Sequence, residues 1–207
     1  MAPTSAPGDD AARRRGRPGY DRQQILDLAV QLFITQGYDA TSVADLAARF
    51  GLTKSALYHH FRSKEELLGV ALDQALGALE GVLDEPAATT GTAADRLAFV
   101  IRSAVEVLIA HLPAVTLLLR VHGNSDVERD ALARRRSFDQ RVAGLTREAQ
   151  AEGAIRPDVD AAVATRLIFG MVNSITEWYR SERGDDPGIL ADDVLRIALD
   201  GLRVPGA

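Results

Sequence analysis

No cysteine occurs in the chain of 207 residues. Disulfides, thiolate metal sites and a Cys nucleophile are thereby excluded, and the usage fits a reducing, cytoplasmic setting. No run of about 18 apolar residues is present, so no membrane span is expected. The N-terminus is polar, and Arg13-Arg14-Arg15 is not followed by an apolar segment, so a secretion signal is not expected either. A Gly-rich phosphate loop and a cluster of metal-ligand spacing are also missing. Adjacent carboxylates such as Glu65-Glu66 and Asp192-Asp193 fall at helix starts or in loops, where the helix dipole accounts for them. Catalysis is therefore not expected, and no metal or cofactor is implied. Strand-like alternation and internal repeats are absent from the pattern. Lysine is almost missing: Lys54 and Lys64 stand against 22 arginines.

What remains is a polar and apolar mixture typical of a globular chain, 46% hydrophobic and 26% charged. The net charge is −5, unevenly spread. Residues 1–64 carry nine Lys/Arg against six Asp/Glu, whereas 65–207 carry 15 against 23. Any phosphate-binding surface belongs to the basic front.

The periodicity is helical throughout. Ile25, Leu28, Ala29, Leu32 and Phe33 form an amphipathic stripe over 21–36, stopped by Gly37. Thr41 or Ser42 can cap a short second helix with Val43, Leu46 and Ala47, and Thr53 a third reaching Phe61. Ser63–Glu66 reads as a capping box opening a long fourth helix, and Ser125–Glu128 as another opening the seventh. Residues 86–91 read as a loop. Helices are further expected over 92–112, from Pro113 to Gly123, over 159–182 and over 189–202. The total is about nine: three short and close together, then six able to form a separate bundle.

Residues 41–61 have helix-turn-helix spacing. Two short helices crossing steeply need a small residue at the contact, served by Ala47, and a turn residue that tolerates positive φ, served by Gly51. Val43, Leu46, Leu52, Leu57 and Phe61 are the inward anchors. The second helix then presents Lys54, Ser55, Tyr58 and His59 outward, donors and flat rings suited to base edges and phosphates. The preceding helix can aim its N-terminus, at Thr41-Ser42, toward a phosphate.

The segment 37–47 followed by 51–67, with its core Leu57-Tyr58-His59-His60-Phe61 and trailing Lys64, resembles the DNA-binding segment of the tetracycline-repressor (TetR/AcrR) family. The resemblance implies an all-α fold: an N-terminal three-helix DNA-binding bundle with a helix-turn-helix, plus a C-terminal six-helix bundle for ligand binding and dimerisation. It divides the chain into a basic arm over 1–19, a DNA-binding domain over 20–64 and a ligand-binding and dimerisation domain over 65–207. It implies phosphate contacts from Tyr58 and Lys64. It brings Thr41, Thr53, Lys54, Ser55 and His59 toward a palindromic operator, with Ser42 at the helix start. The arm Arg13–Arg17 either enters a narrow minor groove, with Arg17 as its contact, or is a solvated tail. By the same resemblance the protein is a regulator, most simply a repressor released by a small-molecule inducer. An activator would share these features.

Val163, Leu167, Met171, Ile175 and Trp178 recur on one side of the eighth helix, and Val194 and Ile197 on the ninth. Periodicity alone fits an internal core stripe. The resemblance implies that Val163, Leu167, Met171, Ile175, Val194 and Ile197 form a homodimer interface. An apolar cavity with a few polar groups suits an inducer, and Phe99, Leu108, Leu118, His122, Phe138, Arg141, Phe169, Asn173 and Trp178 are its candidate lining. Residues 118–124 and 169–179 resemble a subgroup that responds to acyl-CoA thioesters. There, arginines among Arg134, Arg135, Arg136 and Arg141 could meet CoA phosphates, or could simply form a solvated helix face.

Overall fold

A computed structural model describes residues 20–180 and 186–202. Among these, every regular element is helical. The elements are α1 (Arg22–Gln36), α2 (Val43–Phe50), α3 (Lys54–His60), α4 (Lys64–Val82), α5 (Pro86–Thr89), α6 (Ala93–Ala110), α7 (Leu112–Leu118), α8 (Asp126–Ala151), α9 (Ala161–Trp178) and α10 (Pro187–Asp200). The described residues thus contain ten helices, one more than the sequence pattern suggests. The extra one is α5, a single turn in the segment read as a loop. Pro86 starts it, and the Arg96 guanidinium holds its end by donating to the Ala88 carbonyl at 3.2 Å.

Caps fix most of the boundaries. Asp21 and Gln24 bond reciprocally at the start of α1, and Ser42 and Asp45 do so at α2. The two boxes expected at α4 and α8 are only half present. Ser63 and Ser125 accept from the Glu66 and Glu128 amides, at 3.0 and 3.2 Å. The glutamates reach past the cap instead. Glu66 accepts from the Arg62 amide, and buried Glu128 accepts from the amides of His122, Gly123 and Asn124 at 2.8–3.1 Å.

One hydrophobic core runs through the chain. Ile25, Leu26 and Phe33 of α1 join Leu67, Leu68 and Leu72 of α4, then Val100 and Ile101 of α6, Phe138 of α8 and Ile175 of α9. Helix α1 packs against both α4 and α7; α8 packs against α4, α6 and α9; α10 lies mainly on α6. Helices α6 and α7 meet at His111 with a bend of 102°. Beyond the bend, α7 touches α1, α4 and α9. No single helix among the described residues is long and apolar enough to cross a membrane.

Candidate nucleic-acid interface and ligand cavity

The turn between α2 and α3 shows why the sequence needs a glycine there. Gly51 sits at φ 63° and ψ 29°, left-handed backbone that a Cβ would strain. Its amide donates to Ala48 and that of Leu52 to Ala47, at 3.2 and 2.9 Å, closing the α2 carbonyls as a Schellman motif. The chain reverses at once, and Thr53 caps α3 by accepting from the Ala56 amide at 3.1 Å. Leu57 and Phe61, each 2% exposed, pin α3 to the core. Arg22 of α1 lies 4.5 Å over the Phe61 ring and donates to the His60 carbonyl, fixing the end of α3 from outside.

That anchoring leaves Lys54, Ser55, Tyr58 and His59 on one exposed face of α3, with Thr53 and Ser42 exposed at the two helix starts. Among the described residues, no hydrogen bond or ion pair occupies the side chains of Lys54, Ser55, Tyr58 or His59. The face offers an ammonium, a hydroxyl, a phenol and an imidazole to whatever approaches it. One of the expected contacts is spent elsewhere, and another is held in place by a neighbour. Thr41 is 1% exposed, and its hydroxyl donates to the Gly37 carbonyl at 2.7 Å, so it ties the α1–α2 turn from within. The Lys64 ammonium donates to the Tyr38 carbonyl at 2.9 Å and sits 4.0 Å over the Tyr38 ring. Burial, reinforced by Glu65, Glu128 and Asp39, pushes the Tyr38 hydroxyl up to about 12, so the ring stays neutral beneath the ammonium. Arg17 lies outside the described residues.

A second feature lies between α4, α6, α7, α8 and α9. Ala75, Leu79, Leu108, Val115, Leu118, Phe138, Phe169 and Val172 enclose a largely apolar cavity. Phe138 and Phe169 meet edge-on in its wall at 5.3 Å. Arg135, Asp139 and Asn173 are its polar groups. Burial raises the Asp139 carboxyl above its ordinary range, against the pull of Arg135 and Arg166. The void measures about 520 Å³ counted to its open mouth, of which only about 40 Å³ is free cavity. It is a narrow cleft, and any ligand of drug size must part its walls.

Of the expected lining, Leu108, Leu118, Phe138, Phe169 and Asn173 are brought together here, and four residues are not. Phe99 packs against the core elsewhere on α6. His122 is exposed in the α7–α8 loop, beyond the end of α7. Arg141 bonds Asp84 at 2.9 Å. Trp178 is 49% exposed at the end of α9. Sequence periodicity does not find Ala75 and Leu79, because an apolar stripe gives no sign of which of its residues flank a void.

The third feature is an apolar surface. Among the described residues, five of the eight exposed large hydrophobic ones lie on α9 and α10: Val163, Leu167, Trp178, Ile189 and Ile197. Concentration of this kind marks an interaction surface rather than scattered exposure. Met171 lies half-buried at its edge. Ile175 and Val194, assigned to the same face from sequence, are 1% and 6% exposed and belong to the subunit's own core.

Fold and surfaces together define a helix-turn-helix protein whose reading helix is braced by a cavity-bearing helical bundle. Residues 25–71 match the model of bacterial regulatory proteins of the tetR family. Residues 90–202 match that of the tetracyclin repressor-like C-terminal domain. The chain belongs to the TetR family of transcriptional regulators. It is similar to a TetR-family regulator from Streptomyces coelicolor A3 of known crystal structure, 54% identical, covering 87% of this chain and 91% of that one with a TM-score of 0.82. It is 28% identical to the HTH-type transcriptional repressor KstR2 of Rhodococcus jostii, across 98% of both chains. It is 25% identical to the fatty acid metabolism regulator protein of Bacillus subtilis, across 91% of this chain and 98% of that one.

Proposed function

We propose that the protein is a dimeric repressor that leaves a palindromic operator when an apolar small molecule, an acyl-CoA thioester by preference, enters the cavity. In this reading residues 20–64 bind DNA, 65–207 bind ligand and dimerise, and the exposed stripe of Val163, Leu167 and Ile197 meets its mate. Two copies of α3 then sit about 34–36 Å apart, one turn of B-DNA, and read two half-sites. Ser42, Thr53, Lys54, Ser55, Tyr58 and His59 make the contacts, and the arm with Arg17 adds electrostatic attraction. Relatives named a transcriptional repressor and a fatty acid metabolism regulator support both the direction of control and the ligand class.

The observation that carries the reading is the position of the cavity. Two of its walls are α4 and α7, and those two helices hold α1 of the DNA-binding part. Because the cleft is too narrow for a ligand as it stands, filling it displaces the supports of α1 and changes the spacing of the paired reading helices. Ligand and DNA must then weaken each other's binding by the same factor. The test is release of the protein from DNA upstream of its own gene, followed by fluorescence anisotropy, against a panel of acyl-CoA esters and free acids. At least one compound is expected to lower DNA affinity, and DNA to lower that compound's affinity equally. Ligand binding that is indifferent to DNA contradicts the mechanism.

A further inference from the structure

Helix α8 carries six arginines, and three of them are engaged. Arg129 pairs with Asp126, Arg134 with Glu80 and Asp73, and Arg141 with Asp84. This removes Arg134 and Arg141 from the set expected to meet CoA phosphates. Arg135, Arg136 and Arg147 make no hydrogen bond or ion pair with any described residue. Arg136 and Arg147 line a groove between α8 and α9, together with Arg166 of α9. Arg166 is likewise free of direct hydrogen bonds and ion pairs among the described residues. The groove holds about 690 Å³ counted to its open mouth.

Three guanidiniums thus share one groove against a single carboxylate, Asp139. The arrangement is unexpected on a segment where Asp/Glu outnumber Lys/Arg by 23 to 15, so that carboxylate partners are plentiful. Elsewhere on α8 those partners are used. Like charges gathered without partners repel, and an incoming anion relieves the repulsion. A guanidinium fork matches phosphate oxygens two at a time. The groove adjoins the apolar cavity, since Asp139 lines both. Thr165 and Gln140 add neutral polar groups along its wall.

We infer that this groove is the head-group subsite of the cavity's ligand, an apolar chain ending in a phosphate-bearing polyanionic head. The inference rests on the reading that the cavity holds the inducer. The chain lies among Leu108, Leu118 and Phe138, and the head lies on Arg136, Arg147 and Arg166. A nucleotide-bearing thioester and a simple prenyl diphosphate share this chemistry.

Calorimetric titration of the full chain with octanoate, octanoyl-CoA, geranyl diphosphate and inorganic pyrophosphate tests it. At least one of octanoyl-CoA and geranyl diphosphate is expected to bind about tenfold or more tighter than octanoate, and the tighter of the two names the head. Arg136→Glu and Arg147→Glu, both exposed and on α8, should each weaken that ligand about tenfold, the effect of one charge-assisted contact. Octanoate binding should not change. Asp139→Asn should tighten binding of the polyanions, and added NaCl should weaken it. Arg166→Glu adds a third reversal. It borders the exposed face of Val163 and Leu167, so its oligomeric state is checked by sedimentation.

A phosphate-bearing ligand that binds no tighter than octanoate overturns the inference, as do charge reversals without effect. The two readings fail separately. If octanoate releases DNA while the reversals change nothing, the head-group site is wrong and the inducer reading stands. If pyrophosphate binds and is lost in Arg147→Glu, but no compound is displaced by filling the cavity with Leu118→Trp, the anion groove stands and the cavity is not the inducer site.

Discussion

Replacing Glu128 by alanine tests how the DNA-binding part is joined to the bundle. The Glu128 carboxylate is 3% exposed and takes three amides, of His122, Gly123 and Asn124, at 3.1, 2.8 and 3.0 Å. It thereby shapes the α7–α8 loop. That loop reaches the α1–α2 region twice, through Arg120 to the Ile34 carbonyl and through Asn124 to Asp39 at 3.2 Å. A hydrogen bond to a charged acceptor contributes about 1.5–3 kcal/mol. His122 and Asn124 are exposed, so water can take over part of their demand. The net loss in Glu128→Ala is therefore about 3 kcal/mol rather than the full sum. For a chain of this length that corresponds to a fall in Tm of about 6–12 °C. Glu128→Gln keeps one acceptor oxygen in place without the charge and should lose about half as much. Differential scanning calorimetry at fixed protein concentration reads both values. DNA affinity should respond to inducer less steeply in the alanine variant, because the loop no longer transmits a displacement of α7. A Tm within about 2 °C of wild type, or equal falls for Gln and Ala, refutes the reasoning.

Thr41→Val removes a buried hydroxyl donor and should cost about 1 kcal/mol in urea denaturation, while DNA affinity per folded molecule stays unchanged. A selective loss of DNA binding would return Thr41 to the interface. Gly51→Ala forces a Cβ into left-handed backbone and should cost about 1–2 kcal/mol by the same assay. The Arg134 guanidinium beside Glu80 holds that carboxyl below its ordinary value of 4.5. A lowered native value stabilises the fold above the unfolded carboxyl range and loses that effect as the pH falls through the native value. The stability gap between wild type and Arg134→Met should therefore be full at pH 7 and shrink below pH 4.5, read by thermal melts across that range. A gap that widens on acidification contradicts the assignment.

The helical architecture and the exposed face of α3 were legible because local rules govern them. Gly51 can be placed by its backbone alone, and the alternation of buried Leu57 and Phe61 with exposed Lys54, Tyr58 and His59 follows from helical period. What stayed hidden depends on neighbours distant in sequence. Nothing in the sequence near Lys64 shows that Tyr38, 26 residues away, holds its ammonium in place. Ile175 and Leu167 share one apolar stripe, yet 1% and 67% exposure separate core from surface, since a stripe wide enough to serve both cannot be divided by periodicity. Arg134, Arg136 and Arg141 are equivalent in the sequence. Carboxylates on α4 and in the loop after it, Glu80, Asp73 and Asp84, make them different. Glu66 and Glu128 fit the capping spacing, but each accepts from amides that precede the cap instead.

The most direct measurement is binding of the purified full chain to DNA upstream of its own gene, compared with Lys54→Ala, Ser55→Ala and Tyr58→Ala. Two subunits are expected on one palindromic site. Tyr58→Ala should weaken all sequences alike, whereas Lys54→Ala and Ser55→Ala should shift base preference at a defined half-site position, each by about 1–3 kcal/mol. Wild-type affinity and specificity retained in all three variants would contradict the claim that this face of α3 reads DNA.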